Sequence, residues 1–223
     1  MFESKYSKLL TGLLIAGIVA IVAILIAVAC FIANSAKIKQ DADDAAGRFN
    51  GKVNNITENV ISNTIEGNEI SPIIGLENVI VDNNSTENRS NTYKGFPMVG
   101  TIEIPATNLK CPVLENASKA AIEVAVGIYD GPGLNEIGNT TIVGHNYRNG
   151  TFFSNNKKLV EGDKIYITDS SGKKVTYIIY KTYTTSPEDS TYLDRDTEGK
   201  REISLTTCTD DTQSRLIIWA REQ

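Results

Sequence analysis

One stretch limits this chain more than any other: from Leu9 to Ala33 there is no charged residue, and nearly every side chain is Leu, Ile, Val or Ala. Crossing the hydrocarbon core of a bilayer takes about 20 apolar residues in a helix, and this run is long enough. A buried helix of a soluble domain of this length would carry a polar face, and this run has none. A cleaved secretory signal has a shorter apolar region, about 7–15 residues. The stretch Ala27-Val28-Ala29-Cys30 has a faint likeness to a lipoprotein cleavage site, but the usual Leu three residues before the Cys is missing. The run therefore reads as a membrane anchor.

Orientation is nearly balanced by charge. Lys5 and Lys8 precede the run; Lys37 and Lys39 follow it, soon joined by Asp41, Asp43 and Asp44. Lys and Arg set the positive-inside rule. A helix this near the start, ahead of a long polar chain, is expected to act as a signal anchor with residues 1–8 in the cytoplasm. Residues 9–33 are then a single transmembrane pass, and the rest of the chain lies on the extracellular face.

After the run, Ile38, Ala42, Ala45, Phe49, Val53, Ile56 and Val60 recur at spacings of three and four. That spacing predicts a helical stripe; many Asn and Thr residues weaken it and keep a flexible tether as the alternative. Residues 34–92 are read as helical stalk or flexible linker, with 67–92 the most linker-like part. The last unit, residues 93–223, has an ordinary single-domain size. Its pattern changes to short β-prone runs between turns: Val99–Ile104, Cys111–Leu114, Thr140–Val143, Lys164–Thr168, Val175–Tyr183, Glu202–Thr207 and Leu216–Ala220. Such spacing predicts a mostly β sandwich or barrel. Ser118–Val126 has helical spacing and is expected to form a short helix.

The net charge is −5 and there is no basic stripe with interleaved aromatics, which excludes nucleic-acid binding on electrostatic grounds. His145 is the only histidine. It follows a strand through Gly144 and precedes Asn146, a turn that can reach substrate; taken alone, it reads first as an ordinary loop residue. Cys208 ends the run Glu202–Thr207, on the opposite side from Ile203 and Leu205. Arg215 opens the next strand after the polar stretch Thr209–Ser214. If these two strands form a hairpin, Cys208 and Arg215 face each other at its mouth. A thiolate is a nucleophile stabilised by a nearby cation, an imidazole moves protons, and a fixed guanidinium stabilises an oxyanion. Together they fit acyl transfer through a thioester. The competing use of these residues is a Cys111–Cys208 disulfide, since extracellular cysteines usually pair. No metal-ligand spacing, phosphate-binding Gly loop or serine nucleophile elbow is present. No metal and no cofactor are expected, and Asp189, Asp194, Asp196 and Glu198 read as a solvated loop.

At these residues the chain resembles the sortase family of cysteine transpeptidases. The family's Thr-Leu-x-Thr-Cys strand end corresponds to Ser204-Leu205-Thr206-Thr207-Cys208, with Arg215 on the following strand. Ser204 is a departure from the usual Thr. Ile142-Val143-Gly144-His145-Asn146 is similar to the strand end that carries the family's histidine. Gly100-Thr101-Ile102-Glu103-Ile104-Pro105 and Leu159-Val160-Glu161-Gly162-Asp163 also resemble sortase strand entries. The resemblance covers about residues 97–222.

It implies a closed eight-stranded sortase-type β-barrel with short helices, and a cell-surface role in Gram-positive bacteria. Cys208, His145 and Arg215 would be catalytic, and Thr207 would help line the substrate site. The partners would be surface proteins bearing a C-terminal LPxTG-like sorting signal and, as acceptor, an amine of a peptidoglycan precursor or a pilin, with membrane lipid around the anchor. The short segment Pro187–Gly199 leaves little room for a long helix before the catalytic strand, which favours a housekeeping-like or class D-like member. A cysteine peptidase or amidase acting on wall or surface peptides is the rival reading. A non-catalytic wall-binding or adhesin module is the reading outside enzymes.

Overall fold

The computed structural model describes residues 3–65 and 91–223, with side chains over 10–55 and 91–223. Helix α1, Glu3–Ile65, is one continuous element. Its apolar part leaves side chains such as Leu13, Ile24 and Phe31 uncovered, and it is long and apolar enough to cross a membrane. Beyond that part the helix continues through the stretch that could have been a flexible tether. Ala42, Ala45, Phe49 and Val53 are buried, with Ile38 packed beside them. The predicted stripe thus faces the β domain over these positions. The side chains of Ile56 and Val60, and most of the linker expected over 67–92, lie outside the described residues.

The β domain starts with β1 (Thr92–Tyr93) and β2 (Phe96–Ile104). Then come β3 (Leu109–Leu114), the short helix α2 (Lys119–Ile122), β4 (Val126–Asp130) and β5 (Gly138–Val143). A 3-10 segment, Phe152–Lys158, leads to β6 (Lys164–Asp169), β7 (Lys174–Thr185), β8 (Arg201–Cys208) and β9 (Arg215–Glu222). The strand order is β1-β2-β3-β4-β5-β8-β9-β7-β6, and β6 also pairs with β2. That last pairing, with Ile102 opposite Ile167, closes β2 to β9 into an eight-stranded barrel. Closure leaves no free sheet edge within the ring. β1 is a short arm on β2.

Strand alternation fills the barrel. Ile102 and Ile104, Ile165 and Ile167, Ile203 and Leu205 point into one apolar core and are essentially inaccessible. Helix α1 extends that core along β2 and β3, and the Thr101 hydroxyl reaches Asn50 Oδ1 at 2.9 Å. Burying a side chain such as Phe49 or Val53 stabilises by about 1.5–3 kcal/mol, so the lower part of α1 is fixed by packing, not by helix propensity.

The helix expected over Ser118–Val126 is shorter than its spacing indicates. Ser118 caps it, its Oγ accepting from Ala121 N at 3.3 Å, but it stops at Ile122 and Val126 already begins β4. Gly127 explains the change. An added Cβ there would sit 2.4 Å from Asn116 O, so the chain passes tightly against the segment before α2 and is drawn into parallel pairing with β3. The other seven barrel strands match the β-prone runs, each extended by one to three residues.

Candidate active site

Parallel pairing of β5 with β8 sets Val143 opposite Thr206. The next residues of both strands are stitched together. Gly144 N donates to Thr206 O at 3.2 Å, the Thr207 hydroxyl donates to Gly144 O at 2.7 Å, and Asn146 Nδ2 donates to Cys208 O at 3.0 Å. His145 sits between these ties, beside the end of β8. Gly144 is required by close approach: a Cβ would lie 2.7 Å from Val126 Cγ1 and 2.9 Å from Phe153 Cδ2. His145 is further held by Phe153 N, which donates to its carbonyl at 3.2 Å, and by the Tyr147 ring at 4.9 Å.

On the other side, β8 and β9 form the antiparallel hairpin foreseen from the sequence, with Cys208 directly opposite Arg215. Cross-strand partners share a face, so thiol and guanidinium lie on the same outer side of the barrel. The connecting turn is bonded to itself: Thr209 N donates to Ser214 O at 3.0 Å and Ser214 N donates to Thr209 Oγ1 at 3.1 Å. It is also tied to the histidine loop. Asp210 accepts from Asn146 Nδ2 at 2.9 Å and pairs with Lys157, while its carbonyl accepts from Arg148 Nη1 at 2.9 Å. Those hydrogen bonds, with Lys157 first, hold the Asp210 carboxyl below the usual carboxylate range.

A hollow of about 170 Å³ opens at Cys208, lined by Phe153, Thr184, Thr207, Leu216 and Asp210 among others. Cys208 is half-buried and free. Thr207 borders the hollow but is only 3% exposed, and its hydroxyl is engaged by Gly144 O. Cys111 lies in the apolar core, where burial pushes its thiol up to about 12. Both thiols are free, which removes the Cys111–Cys208 disulfide.

Two groups of residues escaped the sequence reading. Glu123, just after α2, places Oε1 3.5 Å from His145 Nε2 and accepts a hydrogen bond from the Tyr147 hydroxyl through Oε2. Burial, then that carboxylate, raise the Tyr147 phenol. No spacing in the sequence links Glu123 to His145; antiparallel pairing of β4 with β5, with Gly127 opposite Val143, does.

The second group lies further along the outer face of β8, the face opposite Ile203 and Leu205. That face is also buried, covered by the connection from β7 to β8. Glu202, inaccessible, binds Arg195 and Arg221 at 2.5 Å each and accepts from Tyr180 at 2.7 Å. Burial opposes ionisation of Glu202, yet the hydrogen bonds from Tyr180, Arg221 and Arg195 outweigh it and lower its pKa. Arg195 also donates to Asn139 Oδ1 at 2.8 Å and stacks 4.0 Å over Trp219. Asn139 in turn donates to the carbonyls of Tyr192 and Leu193 at 2.9 and 2.8 Å. The same connection holds turns but no helix. Asp189 in it is occupied by Thr185 and Thr191, and among the described residues no three acidic, Cys or His side chains converge on a point that could hold a metal ion.

The sequence pattern of the sortase domain matches residues 102–223, over half of the chain. The chain belongs to the sortase family. Sortase A of Streptococcus agalactiae is 28% identical over 132 residues, covering 56% of this chain and 53% of the relative. Sortase D of Bacillus subtilis is 32% identical over 130 residues, covering 56% and 63%. The chain thus spans about half to under two thirds of the length of these curated sortases. The structure of a sortase D5 transpeptidase from Clostridium perfringens superposes with a TM-score of 0.57 at 23% identity, over 84% of this chain and 99% of the other. The closed barrel is therefore a sortase barrel, and Cys208, His145 and Arg215 occupy its β5–β8–β9 rim.

Proposed function

We propose that this chain is a membrane-anchored cysteine transpeptidase that cleaves an LPxTG-like sorting signal and joins the released surface protein to an amine of the cell wall. The observation that carries this reading is the meeting of three strand ends. Cys208 and Arg215 are partners in one hairpin, and His145 is tied to the same strand end by three hydrogen bonds from its neighbours.

In this reading the Cys208 thiolate attacks the Thr carbonyl carbon of the signal. The carbonyl π pair moves to oxygen, where the Arg215 guanidinium stabilises the developing charge. The intermediate collapses, the Thr–Gly C–N bond breaks, and imidazolium His145 protonates the departing Gly amine. An incoming amine then attacks the acyl-thioester, gives its proton to the imidazole, and expels the thiolate. Thr207 lines the substrate site through its methyl group, since its hydroxyl is engaged. Leu9–Ala33 anchors the enzyme with the barrel on the extracellular face, and the acceptor amine belongs to a peptidoglycan precursor or a pilin. The absence of a helix from the β7–β8 connection supports a housekeeping-like or class D-like member.

The test is a donor peptide with and without an added amine. Growth of an amide-linked product at the expense of free acid supports transpeptidation. Water as the only productive acceptor overturns it in favour of a cysteine peptidase or amidase.

A further inference from the structure

Helix α1 and the loop after His145 enclose a second hollow, of about 440 Å³, lined by Phe31, Ile32, Ser35, Lys39, Arg148 and Asn155 among others. We infer that this cleft holds the phosphate-bearing headgroup of an anionic membrane lipid. The inference rests on the membrane placement of Leu9–Ala33 and adds a ligand to it.

The composition of the cleft is graded along the helix. Phe31, Ser35 and Lys39 are four residues apart and so lie on one helix face. Phe31 and Ile32, 58% and 61% exposed, close the apolar run. Ser35 is buried and accepts a hydrogen bond from Asn149 Nδ2 at 3.1 Å, which pins the loop to the helix one turn later. Lys39 follows another turn on. Along a helix it stands about 9 Å beyond Ala33, close to the depth of one headgroup layer, about 5–8 Å outside the hydrocarbon. One wall is thus hydrocarbon-compatible and the other cationic, with the transition where a lipid has its own.

The two cations suit a phosphate. Among the described residues Lys39 has no ion pair and no hydrogen bond. Arg148 spends one N–H of its guanidinium on Asp210 O and keeps others for a second acceptor. Arg presents parallel donors to phosphate oxygens and Lys adds a point charge. The nearby Asp210 carboxylate does not oppose them, being occupied by Lys157 and Asn146. Because Arg148 lies three residues after His145, the lipid would rest against the same loop that positions the imidazole.

The experiment uses the full chain in non-ionic micelles. It is titrated with phosphatidylglycerol or phosphatidylcholine of identical acyl chains, and retained lipid is read by native mass spectrometry. Preferential retention of phosphatidylglycerol is expected. It should weaken about 5-fold in Lys39→Gln and about 25-fold when Arg148→Gln is added, at about 1 kcal/mol per cation. Lys164→Gln, outside the cleft, should change nothing. Equal retention of the two lipids, or retention indifferent to Lys39→Gln, overturns the proposal. Displacement of the lipid by millimolar inorganic phosphate alone also overturns it, because the site would then take free phosphate. Flotation of the unsubstituted chain with phosphatidylcholine vesicles separates the two claims. Failure to float rejects the membrane placement and the cleft with it; flotation with headgroup-blind retention rejects the cleft alone.

Discussion

The two ends of β8 share one strand and one barrel face, yet they are built for opposite purposes. Near its start, Glu202 is inaccessible and its carboxylate is saturated by two guanidiniums and a phenol. At its end, Cys208 is half-buried beside an open hollow, and only backbone and neighbouring residues are tied down. The first end fixes the strand and the connection above it. The second leaves a thiol free within a fixed frame. Acting as the proposed nucleophile, that thiol needs access, and its geometry must come from elsewhere on the same strand.

This contrast can be broken from either side. Cys208→Ala should lower amine-dependent peptide transfer by at least about 10³-fold, with an unchanged denaturation midpoint. A loss of folding in that variant would make Cys208 structural. Glu202→Ala should do the reverse. It strands Arg195 in a covered site and should cost about 3–5 kcal/mol in urea unfolding, while the molecules that remain folded keep their transfer activity.

The same carboxylate sets a pH dependence. Its folded pKa lies below its ordinary value of 4.5, so its contribution is complete above that value and is lost as pH falls through the lower, folded pKa. Unfolding followed between pH 5 and 2 should show this loss, and Glu202→Gln should flatten it.

Arg215→Ala should reduce kcat/KM by about 10²–10³-fold. Arg215→Lys should restore only part of it, because an ammonium lacks the planar fork. Full activity in the lysine variant would reduce the role of Arg215 to a point charge. The smallest effect belongs to Asp210→Asn. Exposed ion pairs contribute little, so kcat/KM should move by no more than about threefold and the urea midpoint should stay at the parental value.

The outline of the barrel was legible because seven of its strands carry β-prone runs bounded by turns. Cys208 opposite Arg215 could be foreseen because both flank one short polar stretch, so local sequence sufficed. β4 was not legible: Val126 follows residues at helical spacing, and only the tight passage at Gly127 converts the chain to a strand. The Glu202 network was hidden for another reason. Its members Asn139, Tyr180, Arg195 and Arg221 come from four separate segments and meet only when β5, β9 and β7 assemble alongside β8. An acidic residue at the head of an apolar strand was the one available hint. For the lower part of α1, periodicity showed the stripe from Ile38 to Val53, but helix and tether could not be separated without the barrel surface that buries it.

That burial has a mechanical consequence. With Ala42, Ala45, Phe49 and Val53 packed against the barrel, α1 works as a strut and not as a loose leash. In a bilayer it would hold the thiol at one height and allow it to spin about the helix axis without bobbing or swinging. Under the proposed function, the reach needed to bring a cleavage site to Cys208 would then fall to the substrate, whose own spacer would set which surface proteins can be served.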